Sequence, residues 1–335
     1  MNAKFTPKVK DIGLIVVLAG LVITFSVLSP NFLDVNNIYN ITRQVATLGI
    51  CAVGFTFILI TGGIDLSIGY QISVNVVVCG MLMANYDLPW YLAVLAVLAL
   101  GTLMGMINGI IITVTGVSPL IITLAMMTVL NGVSYLLSRG LPIFGFPSEF
   151  SFIGQGTVAG IPVALIILLL VCAIGLFILN KTYLGKYFYA IGNNREAARL
   201  SGINTPRVLI LVYALSGFFT AIGSVVLLSR LSSAQSATGS GFEFMVITAC
   251  VLGGVSVMGG RGTLFGAFLG VAIIGVLNNG LVLLNVNEYV QLVITGAILL
   301  IAVSYDALSK SSKGRITQIS AMVLSGSKKS SAKAV

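Results

Sequence analysis

Few side chains in this sequence could do chemistry, and those few stand in apolar surroundings. The most conspicuous is Asp65, within Thr61-Gly62-Gly63-Ile64-Asp65-Leu66-Ser67-Ile68-Gly69. Two adjacent glycines and an acid break a continuous helix, and non-helical backbone at membrane depth survives only where protein or a water-filled cavity covers it. A carboxylate at the centre of a spanning helix costs roughly 3 kcal/mol on insertion scales. Asp65 is therefore expected to cap the next helix through Ser67 and backbone N–H groups, at the cytoplasmic end of a span. Cation pairing and direct substrate contact are the sharper alternatives. The chain has no histidine, which excludes Ser-His-Asp triads, HExxH metal sites and imidazole relays. Cys51, Cys79, Cys172 and Cys250 lie in apolar stretches without CxxC spacing and read as small packing residues. There is no G-x-x-x-x-G-K-[ST], and Gly185-Lys186 runs into Tyr187, so nucleotide phosphates find no P-loop. Any ATP must be handled by another polypeptide.

Three further segments stand out. In Gly192-Asn193-Asn194-Arg195-Glu196-Ala197-Ala198-Arg199-Leu200-Ser201-Gly202, Asn194 can cap a helix and Glu196 suits its positive end. Arg199 suits the other end, and Gly202 can terminate. The result is a helix of about two turns, too short to be stable alone in water, so a partner must dock it. Leu252-Gly253-Gly254-Val255-Ser256-Val257-Met258-Gly259-Gly260-Arg261-Gly262-Thr263, followed by Gly266 and Gly270, predicts a tight turn and a closely packed helix. The third set comprises amides inside apolar runs: Asn75, Asn108, Asn131, Asn278, Asn279 and Gln291. Such side chains bond helix to helix at roughly 0.6–2 kcal/mol each, or present donors and acceptors to a polyhydroxylated solute. Gly62, Gly63, Asp65, Ser67, Asn75, Asn108, Asn278 and Asn279 are the candidates for a helix break or a translocation pathway.

The elements that must position these residues are membrane helices. Of 335 residues 57% are hydrophobic and 8% charged, too little charge to cover a water-soluble surface. Apolar runs near the ~20 residues needed to cross a bilayer lie at 12–28, 45–62, 68–85, 90–115, 118–137, 161–179, 208–228, 244–258, 264–284 and 289–305. The fold class is thus an all-α integral membrane protein of about ten helices with interrupted segments. With both termini cytoplasmic, the outward loops fall at 29–44, 86–89, 138–160, 229–243 and 285–288. They then hold Arg43, Arg139 and Arg230, while the other fifteen of eighteen Lys and Arg face the cytoplasm. Lys4, Lys8 and Lys10 precede an apolar run from Ile12 to Leu28 that resembles a signal peptide. Its length, and Ser29-Pro30-Asn31 where a cleavage site would stand, favour an uncleaved first span. One polytopic membrane domain is expected over 1–308, with a cytoplasmic loop at 180–207. Residues 309–335 carry Lys and Arg but no acid and read as a solvated tail near anionic lipid.

The segment around Asp65, Ala190 to Asn204, the Leu252 to Thr263 run and Val276-Leu-Asn-Asn-Gly-Leu281 occur in one order, and together they resemble the permease subunits of ribose-type ABC sugar importers. The likeness runs from about residue 12 to residue 305. It implies two permease chains, a copy or a paralogue of this one, in the bacterial cytoplasmic membrane. It also implies a cytoplasmic ABC ATPase that holds ATP and Mg, and an extracytoplasmic sugar-binding protein. This chain itself would carry no cofactor, no catalytic residue and no nucleic-acid site. On that resemblance Gly192 to Arg199, with Gly202, form the coupling helix that enters a groove of the ATPase. The family commonly has Leu-Asp after Gly241-Phe242-Glu243, where this chain has Phe244-Met245. A secondary transporter driven by an ion gradient is the competing expectation, with Asp65 as its ionisable group.

Overall fold

The computed structural model describes residues 9–307; the basic tail at 309–335 and Lys4 and Lys8 lie outside them. Thirteen helices fill these residues: α1 Val9–Leu28, α2 Val35–Ile60, α3 Ile68–Ala84, α4 Trp90–Thr115, α5 Pro119–Ser138, α6 Ser148–Gln155, α7 Val163–Lys181, α8 Tyr183–Asn193, α9 Arg195–Leu200, α10 Thr205–Leu231, α11 Phe242–Leu252, α12 Leu264–Leu283 and α13 Glu288–Ala307. A two-residue hairpin, β1 Thr157–Val158 with β2 Ile161–Pro162, is the sole sheet among the described residues. Eight helices (α1, α2, α4, α5, α7, α10, α12 and α13) are long and apolar enough to cross a membrane, and α3 and α11 are shorter apolar ones. The chain is an all-α membrane protein.

Burial sorts the helices into two sets. α2 is buried continuously from Val45 to Ile60, and α10 and α12 nearly as fully. α1, α5, α7 and α13 leave large apolar side chains uncovered, among them Val16, Val27, Leu136, Leu170, Phe177 and Leu300. In a chain this poor in charge, that outer surface faces hydrocarbon rather than water. The tightest inner contact is α4 against α10. Gly101, Gly105 and Gly109 repeat every four residues along one face of α4. A methyl group at 105 would collide with the Tyr213 carbonyl, and one at 109 would approach Ile210 Cα to 2.7 Å. Small residues at this spacing let two backbones approach, which is how helices gain contact in lipid.

Several boundaries differ from the apolar runs. α2 begins at Val35 rather than 45, so the expected outward loop at 29–44 shrinks to residues 29–34. Asp34 starts the helix, accepting a hydrogen bond from Asn36 N. Asn36, Asn37, Asn40, Thr42, Arg43 and Gln44 lower the local hydropathy without breaking the helix, because protein covers part of that turn. The run 244–258 is split: α11 stops at Leu252, and residues 253–263 turn through Gly254, Gly259, Gly260 and Gly262, all at positive φ. α10 continues to Leu231, which shortens the loop at 229–243. The loop at 138–160 folds into α6 and the start of the hairpin, and 180–207 holds a second helix, α8, ahead of the expected one.

Candidate functional site

The short helix expected near 194 is present as α9, with both ends closed. Asn194 adopts φ −159° and ψ 106°, and its Oδ1 accepts from Ala197 N at 2.9 Å. At the other end Ile203 N donates to Ala198 O and Gly202 N to Arg199 O, with Gly202 at φ +86°. This is the left-handed Schellman closure that glycine accommodates without strain. Glu196 and Arg199 pair on the outer face at 2.5 Å, and the hydrogen bond from Arg199 holds the Glu196 carboxyl below its usual range. Arg195, Ala197 and Arg199 are exposed, Ala198 is buried, and Leu200 is 77% exposed. An apolar side chain that open, on six residues of helix, leaves an uncovered contact point.

α8 seats this helix on the membrane part. Gly192 lies against the Ile60 carbonyl and Gly260 N, so tightly that a Cβ there would collide with both. Gly260 N donates to Ile60 O at 2.8 Å, and Tyr189 Oη to Gly262 O at 2.9 Å. Asn193 Nδ2 turns back to Tyr189 O at 2.9 Å. The C-terminus of α2, the turn at 253–263 and α8 therefore meet at one point, directly before the Gly62-Gly63 break.

The break is satisfied by a buried polar cluster. Gly62, at φ +79°, and Gly63 donate back to Leu59 O and Ile58 O. Tyr213 of α10 donates to Ile64 O at 3.1 Å, and Leu66 N donates to Thr123 of α5 at 3.1 Å. Asp65 stands two residues before Ser67, the N-cap of α3. Its Oδ1 accepts from Ser67 N at 2.9 Å and from Ser67 Oγ at 2.5 Å, and Oδ2 accepts from Gln71 at 3.3 Å. Ser67 Oγ also accepts from Gln71 at 2.8 Å and from Asn108 of α4 at 2.9 Å. No cation pairs with Asp65; among the described residues the single ion pair is Glu196 with Arg199. Asn75 reaches Ser224 of α10 at 3.4 Å. Gln71, Thr123 and Tyr213 are absent from the sequence expectations. Gln71 alone carried a signal, at helical spacing from Ser67.

The paired amides of α12 separate. Asn279 and Asn37 exchange hydrogen bonds at 2.8 and 3.0 Å, closing α12 on the first turn of α2. Asn278 donates only to Met245 Sδ, at 3.4 Å, and borders a cavity of about 180 Å3. Gln44, Thr47, Arg230, Thr238 and Phe242 line the same space, enclosed by α2, α10, α11 and α12. The sequence expectations thus fall into five places: the α8–α9 unit, the cluster around Asp65, Ser67 and Asn108, the Asn75–Ser224 contact, the Asn279–Asn37 pair and the Asn278 cavity.

Residues 37–303 match the family described as the branched-chain amino acid transport system permease component. The ribose import permease protein RbsC of Haemophilus influenzae is 41% identical over 85% of this chain and 90% of its own length. RbsC of Bacillus subtilis is 43% identical over 85% and 89%. The galactose/methyl galactoside import permease protein MglC of Escherichia coli is 38% identical over 93% and 99%. No solved structure matches.

Proposed function

This chain belongs to the branched-chain amino acid transport system permease-component family, and we propose that it is the membrane-crossing subunit of an ATP-driven importer of a monosaccharide or similar small polyol. As a permease it is a multi-pass membrane protein and a transport component rather than an enzyme. In the proposed assembly, ATP and Mg are held by a separate cytoplasmic ABC ATPase. A second permease copy or paralogue completes the pathway, and an extracytoplasmic binding protein delivers the sugar. In this reading the eight long apolar helices and the shorter α3 and α11 make ten spans, with both termini and the 180–207 loop in the cytoplasm; the eight apolar lengths support it. Residues 1–308 then form one permease domain, with 309–335 as its cytoplasmic tail.

The observation that carries this reading is α9: closed at both ends, exposed through Leu200, and braced by α8 on the junction of Ile60 with Gly260. A rigid helix in a groove moves as a body when the groove moves. Force applied to α9 reaches Gly192 and the end of α2, and so the break that α3, α4, α5 and α10 hold through Asp65, Ser67, Asn108, Thr123 and Tyr213. Two arrangements of that junction, each favoured by one state of the ATPase, would open the pathway alternately to the two sides. The competing ion-gradient reading takes Asp65 as its ionisable group, and both oxygens of Asp65 are occupied by Ser67 and Gln71.

Reconstitution tests it. Liposomes holding this chain with its ATPase and binding protein should take up sugar only with ATP; uptake by the isolated chain on a sodium or proton gradient would end the proposal. Glu196→Lys together with Gly202→Val should leave membrane insertion intact and abolish ATP-driven uptake, and unchanged uptake would remove α9 from the coupling role.

A further inference from the structure

Arg43 and Arg230 raise a separate question. Placing both termini in the cytoplasm leaves three arginines on the outward side, against the bias that governs membrane loops. Two of these three converge on Gln155: Arg43 of α2 donates to its carbonyl, and the Gln155 side-chain amide donates to the backbone carbonyl of Arg230, near the end of α10, at 3.1 Å. Arg43 also lies 5.9 Å from the centre of the Tyr39 ring. The Arg230 guanidinium makes no hydrogen bond to a described residue, and no carboxylate pairs with either arginine among them. Arg43 is thus held by a carbonyl and a ring, while Arg230 is left facing a cavity, and an arginine of a spanning helix that faces a cavity is a candidate for a solute path.

Arg230 lines the cavity that Asn278 borders. Gln44 projects into it with no hydrogen-bond partner among the described residues, and Asn278 leaves its carbonyl oxygen unused. Thr47 and Thr238 add hydroxyls whose protons go to the Arg43 and Gln235 carbonyls, so each offers an acceptor lone pair to the space. Phe242, Leu48, Leu227 and Met245 supply the apolar wall. Polar groups above an apolar face suit a sugar ring, which carries hydroxyls on its rim and C–H groups on its faces. The size also fits. A cavity of about 150 Å3 holds benzene, and this one of about 180 Å3 admits one six-membered ring.

Resting on the importer reading above, we infer that this cavity is a solute station of the pathway, with Arg230 donating to the hydroxyl oxygens of a neutral monosaccharide and Gln44 and Asn278 orienting it. The fixed fork of five N–H donors in arginine suits adjacent hydroxyl oxygens. The same positive charge disfavours a protonated amino sugar. The station is distinct from the Asp65 cluster, where Asp65, Ser67, Gln71 and Asn108 bond one another across the break, α3 and α4. Asn278 therefore serves solute while Asn279 serves packing.

The test uses the complete transporter in liposomes, with D-ribose and D-galactose as probes. Arg230→Ala and Gln44→Ala should each lower uptake about tenfold, the scale of one lost hydrogen bond to a charged or buried partner. ATP hydrolysis stimulated by the loaded binding protein should stay within about twofold, since α9 and its seat are untouched; Arg230→Lys should keep intermediate uptake. A second readout does not depend on turnover: Thr238→Cys, in a chain whose four native cysteines are replaced, should be shielded from alkylation by excess galactose and not by galactosamine. Uptake and hydrolysis falling in parallel, uptake unchanged, or equal alkylation with every sugar would each overturn the inference. Wild-type liposomes that take up no sugar with ATP would bring down the importer reading first, and a loss confined to the variants concerns the cavity alone.

Discussion

Ser67 Oγ carries more of the break than the acid beside it. It donates to Asp65 and accepts from Gln71 and Asn108, so three side chains from three segments depend on one hydroxyl. Removing it strands buried groups, and each stranded group costs about 1–3 kcal/mol. Ser67→Ala should therefore lower the thermal unfolding temperature of the purified chain in detergent more than Asn75→Ala, whose one contact is 3.4 Å long. An equal effect would mean that the cluster is not organised around Ser67. The sequence shows that polar residues lie in apolar runs, and the Gly62-Gly63 break follows from it directly. It does not show which amide meets which partner. Asn278 and Asn279 are adjacent and of one type, yet 100° of helical rotation sends one to a cavity and the other to Asn37. Arg230 was readable only as an outward charge, because Gln155, which bonds its carbonyl, is 75 positions away in the chain.

At the scale of elements, apolar runs locate the lipid-crossing helices well, because a bilayer rewards hydropathy over a fixed length. They fail where protein rather than lipid is the neighbour. The first ten residues of α2 are helical and polar, and α11 needs only 11 residues because the turn at 253–263 covers its end. α8 was hidden for a related reason: its mixed composition suits a helix half exposed to water. α9 was visible because its caps are local chemistry, with Asn194 and Gly202 eight positions apart. The joint between these elements can be loaded deliberately. Gly192→Ala would push α8 off the Ile60 carbonyl, and overpacking of this kind costs roughly 1–3 kcal/mol where nothing yields. It should abolish ATP-driven uptake while the chain still reaches the membrane. Gly13→Ala, with nothing within 4 Å of the added methyl, is the matched control. Equal uptake in the two variants would show that α9 moves independently of α2.

For the whole molecule, the two ends of the bundle must differ in what they meet. One end carries α8, α9 and the turn at 253–263, with Lys181, Lys186, Arg195, Arg199, Arg207 and Arg261. The other carries α6 and the hairpin, and Arg230 of the cavity wall lies beside it, its carbonyl accepting from Gln155 of α6. A motor pushing on α9 and a binding protein delivering sugar to the Arg230 cavity require these ends to lie on opposite sides of the bilayer. Single cysteines in a chain stripped of its native four read this out. Arg195→Cys lies on exposed α9 and Glu149→Cys on exposed α6. A membrane-impermeant maleimide applied to intact cells should modify position 149 and spare 195, and inside-out vesicles should reverse the pattern. Labelling of position 195 from outside would put α9 beyond the reach of any cytoplasmic ATPase. Labelling of both positions from one side would mean that α7, the one helix between α6 and α9 long and apolar enough to cross, does not cross.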